Sequence, residues 1–143
     1  MDSKLSKTIK QQFIYCFIFT SNLQKVLLIR RQNKVSGILE KIPFEVQVDK
    51  IASAICEGNY KLHIQPSHWN PVCDLINLDK TQICYVFMTV LQNIENAPEG
   101  LELVDVNTLP KDCIFNNYWL IPLCLDQKNF GPLSQVVLTG YIE

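Results

Sequence analysis

The chain has 143 residues, with 13 Lys and Arg against 14 Asp and Glu, a formal net charge of −1 and 48% hydrophobic residues. This is the length of one globular domain, expected over 1–143, and it is enough to bury a core without a disulfide or a metal. The even charge balance excludes a general nucleic-acid or membrane-surface binder.

Residues 1–9 include a polar leader and are expected to be flexible. The apolar run at 13–19 is far shorter than the ~20 residues that span a bilayer, and the aromatic and β-branched stretch 12–20 reads as a buried strand. Ser21-Asn22 is turn chemistry, and 25–30 is a second short strand. From 35 to 43 the periodicity dissolves around Ser36-Gly37. Phe44, Val48, Ile51, Ala52, Ile55 and Cys56 then recur at helical spacing, which predicts one amphipathic helix ending near Gly58-Asn59.

Strands at 72–78 and 82–91 flank a turn at 77–80, and the second, the more apolar, is expected at the centre of the sheet. Residues 101–106 alternate in the manner of a strand. The segment 117–125 is apolar around Pro122, a short helix that the proline opens or kinks, and 135–141 is the last strand. This order predicts an α+β domain, an α/β/α sandwich. Six cysteines are scattered without a C-x-x-C pair or a secretory leader, so they read as reduced core thiols in a cytoplasmic protein.

Two stretches carry a family likeness. Val26-Leu-Leu-Ile-Arg-Arg31 runs through Ser36-Gly37 into a helix, and Asn116-Asn-Tyr-Trp-Leu-Ile-Pro-Leu123 opens the last one, with Trp69 and Leu109-Pro110 between them. In this order they resemble the Nudix hydrolases, particularly the purine nucleoside triphosphate sanitising enzymes and their phage-encoded relatives. The resemblance implies a Nudix-like mixed β-sheet flanked by helices. It also directs attention to the family's catalytic box, G-x5-E-x7-R-E-U-x-E-E-x-G, whose glutamates hold divalent ions on a pyrophosphate. Laid from Ser36-Gly37, the box is expected across Glu40, Val46, Ala54, Ile55, Gly58, Asn59 and Lys61, with its fixed residues gone. Ala54 and Ile55 cannot ligate a hard cation.

Glu45, Asp49 and Glu57 would make a shifted site only with help from a loop, and a solvated acidic face is the plainer reading. His63, His68 and Cys73 fit no zinc spacing. No metal or cofactor is expected. What the resemblance leaves is ligand recognition: it implies Asn116 and Asn117 at the edge of a base, with Phe115 and Trp119 as stacking faces. Arg30, Arg31, Lys34 and Lys41 gather where this family meets phosphates and would replace the lost metal as counter-charge. The plain alternatives are a capping Asn, a core Trp and a solvated strand end.

The expected function is therefore a catalytically inactive binder that sequesters or senses a nucleotide-type small molecule. A phage sponge for a nucleotide immune signal, in the host cytoplasm, is one version. A homodimer is expected from the likeness, with no nucleic-acid or membrane partner. Two alternatives stand beside it: a protein-interaction module presenting Tyr60, Trp69 and Tyr118, and a hydrolase drawing its base from Glu99 or Glu102.

Overall fold

Strand β1 (Gln11–Thr20) is buried along almost its whole length, as a continuous apolar run must be when both faces of its sheet are covered. The computed structural model that establishes this describes residues 9–130, 135–138 and 142; of the stretch expected to be flexible, 1–8 lies outside the described residues. The strand's period of two divides its side chains between two cores. Phe13, Tyr15, Phe17 and Phe19 pack with Leu120, Ile121 and Cys124 of helix α2 (Asn117–Phe130). Ile14, Cys16 and Ile18 pack with Ala52, Cys56 and Tyr60 of helix α1 (Val48–Tyr60). Two helices flanking one sheet make the α/β/α sandwich that the element order predicts.

The remaining strands are β2 (Lys25–Arg31), β3 (Lys34–Ser36), β4 (Ile38–Ile42), β5 (Asn70–Asn77), β6 (Gln82–Leu91), β7 (Leu101–Asp105) and β8 (Gln135–Leu138). They are ordered β3-β2-β1-β6-β5-β8, with β4 also on β1 and β7 also on β2. The sheet is mixed: β1 and β6 are parallel from Gln11↔Gln82 to Thr20↔Leu91, while β1 meets β2 and β4 antiparallel. The apolar strand predicted at the centre, β6, lies between β1 and β5.

Three elements differ from the sequence expectation. The stretch 34–42, where no periodicity was evident, holds two short strands, because Gly37 breaks one run into a three-residue and a five-residue piece. Helix α1 starts at Val48 rather than Phe44, since Phe44 is exposed and Glu45 takes a φ of 62° that no helix accommodates. The helix runs through Gly58 and Asn59 and stops at Lys61, whose N–H donates to Glu57 O at 3.0 Å and whose left-handed backbone (φ 56°) turns the following N–H, of Leu62, onto Cys56 O at 3.2 Å. Helix α2 continues past Pro122 to Phe130, and the 139–141 part of the last predicted strand lies outside the described residues.

Two of the three aromatics expected on a partner surface are core residues. Tyr60 is 8% and Trp69 5% exposed, and the Trp69 indole N–H donates to Ser53 Oγ at 2.9 Å. All six cysteines are buried free thiols, and burial pushes the Cys73 thiol up to about 12. Among the described residues, no helix is long and apolar enough to cross a membrane.

Candidate functional site

The β2–β3 connection is a two-residue turn in which Gln32 (φ 51°) and Asn33 (φ 63°) both take left-handed backbone, the geometry that matches the twist of a tight hairpin. This turn sets Arg31 opposite Lys34 and Arg30 opposite Val35. Because strand side chains alternate, the two arginines diverge. Arg31, Lys34 and, from β4, Lys41 line a cleft of ≈ 520 Å³ with Phe13, Ile29, Leu39, Glu40 and Ile114. Glu40 is its one carboxylate among the described residues, and its Oε1 accepts from Arg31 Nη2 at 2.9 Å, which raises the guanidinium above its ordinary value.

Arg30, the fourth predicted cation, is not in this cleft. Its guanidinium bridges Glu102 of β7 at 3.2 Å and Asp112 at 2.5 Å, tying the strand to the loop that precedes α2. That contact holds the Asp112 carboxyl below its usual range. A depressed carboxyl gives stability that is present above its unfolded value of about 3.9 and is lost as pH falls through the folded one. Thermal unfolding across pH should therefore show Arg30→Gln less stable than the parent near pH 7, with the gap closing below about pH 4. A gap unchanged by pH would contradict the pairing.

The same loop is stitched to β3 by its backbone. Val35 N–H donates to Asp112 O at 3.0 Å and Ile114 N–H donates to Val35 O at 2.8 Å, which carries Ile114 into the cleft. Tight turns from Ile114, Phe115 and Asn116 then lead into α2. Phe115 projects, 77% exposed. Asn116 accepts the Trp119 indole N–H at 3.1 Å, and Trp119 packs against the core on the α2 side.

Asn117 is fully buried. Its Oδ1 accepts from Gly37 N–H at 2.9 Å, and its Nδ2 donates to the Tyr15 hydroxyl at 2.6 Å. The amide expected to read a base instead joins α2 to the β3–β4 junction and to the central strand. Burial, outweighing this hydrogen bond, pushes the Tyr15 hydroxyl well above its ordinary value, so it stays neutral. Ile114 and Glu40 were not foreseen as cleft residues. Neither carried a signal in the sequence: Glu40 is placed by the pairing of β4 with β1 opposite Ile14, and Ile114 by its pairing with Val35.

Counted residue by residue from Gly37, the G-x5-E-x7-R-E-U-x-E-E-x-G pattern puts its last glycine on Gly58, its arginine on Ile51 and its glutamates on Pro43, Ala52, Ile55 and Cys56. This register replaces the one across Ala54, Asn59 and Lys61. Ala52 and Cys56 lie in the core under the sheet, and Ile51 and Ile55 pack against it. Among the described residues, no three His, Cys, Asp or Glu side chains come together as a metal would require.

No protein-family model matches the sequence, and no curated protein does. Solved structures do match. A Nudix hydrolase from Nitrosomonas europaea aligns with a TM-score of 0.67 at 13% identity, over 91% of this chain and 80% of that one. The chain has the Nudix fold. The Nudix domain of Shewanella oneidensis NrtR, solved with ADP ribose, aligns with a TM-score of 0.64 at 13% identity, over 90% of this chain and 94% of that one. The C-terminal domain of mouse MUTYH, solved in complex with human PCNA, aligns with a TM-score of 0.65 at 13% identity, over 90% and 94% of the two chains. At these identities the Nudix likeness carries the architecture and leaves the chemistry to the residues.

Proposed function

We propose that this Nudix-fold chain binds a nucleotide or nucleotide-diphosphate derivative in the cleft of Arg31, Lys34 and Lys41 and does not hydrolyse it. The observation that carries the reading is the charge of that cleft: among the described residues, three cations face one carboxylate, Glu40, already paired with Arg31. Cationic side chains neutralise a polyphosphate directly, whereas metal-assisted hydrolysis needs a carboxylate clamp, and the box positions here carry Pro43, Ala52, Ile55 and Cys56. In this reading Phe115 and Ile114 offer the base an apolar face, and Asn116 meets its edge. Asn117, Trp119 and Arg30 act from behind, by fixing the loop. The Nudix domain solved with ADP ribose supports the class of ligand. Binding without turnover makes the protein a sensor or a sponge, acting in the cytoplasm and as a homodimer; in a phage-encoded setting it would withdraw a nucleotide immune signal.

Calorimetric titration with ADP ribose in the presence of a chelator tests this. Binding should survive without divalent ions, and mass spectrometry should recover the ligand intact. Lys34→Ala and Lys41→Ala should each weaken binding about tenfold, roughly 1.4 kcal/mol, and added salt should weaken it further. Magnesium-dependent turnover, or full affinity in both variants, would overturn the reading.

A second reading, a protein-interaction module, is favoured by one observation: Ile114, Phe115 and Tyr118 are exposed within a single turn of chain. Phe115→Ser separates the two. It lowers ADP ribose affinity if the ring stacks on a base and leaves it unchanged if the ring serves a protein partner.

A further inference from the structure

A second cavity, of ≈ 410 Å³, opens between the sheet and α2 at the far end of β1. Phe13 marks the cationic cleft and Thr20 the end of the strand, so about 3.3 Å per residue puts the two sites roughly 23 Å apart, too far for one mononucleotide to fill both. The cavity lies just beyond the carboxyl ends of β1 and β6, the parallel pair. There the chain leaves both strands, and in sheets with parallel strands such crevices recur as ligand sites.

Its chemistry differs from that of the first cleft. Leu23, Met88 and Val90 supply an apolar surface, Asn70, Gln92 and Gln127 supply three amides, and among the described residues no charged side chain lines it. Gln127 donates to Pro71 O at 3.3 Å and Asn70 to His68 O at 3.4 Å, which orients both amides. Their carbonyl oxygens, and the whole amide of Gln92, make no side-chain hydrogen bond among the described residues. An amide presents a donor beside an acceptor, and so pairs with an edge that does the same. Among the described residues a phosphate or carboxylate would meet no counter-charge there, and it would lose its hydration.

We propose that this cavity is a second small-molecule site, for an uncharged planar ring with hydrogen-bonding groups on its edge, of the nucleobase or nucleoside class. The ring lies on Leu23, Val90 and the adaptable thioether of Met88, and its edge meets the amides of Gln92 and Gln127.

Met88 and Met1 are the two methionines of the chain, so labelling with [methyl-13C]methionine puts a reporter inside the cavity. Adenosine should move the Met88 methyl resonance saturably at concentrations up to about 1 mM, and inorganic pyrophosphate should not. A Gln92→Ala, Gln127→Ala double variant, altering two side chains at the cavity mouth, should need at least about tenfold more adenosine, whereas Lys41→Ala should leave the titration unchanged. A Met88 methyl that adenosine does not move would overturn the proposal. So would full affinity in the double variant, or an equal response to pyrophosphate. The result is independent of the cationic cleft, whose own test reads ADP ribose against the lysine variants.

Discussion

Asn117→Ala should be among the most damaging single substitutions in this protein. The side chain is fully buried and satisfies two other buried groups, the N–H of Gly37 and the hydroxyl of Tyr15. Stranding a buried polar group costs about 1–3 kcal/mol, so the two together cost roughly 2–6 kcal/mol, against a total stability of about 5–15 kcal/mol for a typical domain. Chemical denaturation should show the midpoint falling with its slope unchanged. Tyr15→Phe removes only one of the two bonds and should cost less. If Asn117→Ala lowers stability no more than Tyr15→Phe, the bond to Gly37 contributes little and the junction is held by packing alone.

Gly37→Ala should be the second. A methyl there would stand 2.5 Å from Phe17 Cε1 and 2.9 Å from Cδ1 and Cζ. Phe17 cannot yield easily: it is fully buried, and its ring stacks on Tyr15 with centroids 4.9 Å apart. Overpacking of this kind costs about 1–3 kcal/mol. The clash is with one identifiable ring, so Phe17→Leu in the Gly37→Ala background should cost less than Phe17→Leu alone, a non-additivity readable in a double-mutant cycle. Strict additivity would mean that room beside Phe17 is not what the glycine provides.

How far the sequence discloses this architecture depends on the range of the interactions. β1 and β6 are legible because a strand covered on both faces must be apolar throughout, and the run from Phe13 to Phe19 is. β3 and β4 are not, because three and five residues are too few to establish a period and Gly37 separates them. The end of α1 misleads for a different reason. Gly58 sits inside the helix, and it is Lys61, a residue with no special liking for the left-handed region, that closes it. At the candidate site, the proximity of Lys34 to Arg31 follows from a two-residue turn, whereas the divergence of Arg30 from Arg31 follows from strand alternation that a cluster of basic letters conceals. Asn117 is beyond sequence reasoning altogether, since its partners lie 80 and 102 residues away.

The pairing of β1 also sets an order of events on the ribosome. One edge of the strand meets β2 and β4, which follow it closely, but the other edge waits for β6, and its α2-side face waits for Leu120 to Cys124. At about 5–20 residues per second, the interval between the emergence of Phe19 and of Leu91, the end of β6, is roughly 4–14 s. Throughout it, an uncharged, aromatic, β-prone heptad stands with an open edge, the composition that recruits other strands. Nascent chains of this protein are therefore natural clients for chaperones that hold hydrophobic segments, and the yield of folded protein depends on synthesis reaching the second half before two such edges meet.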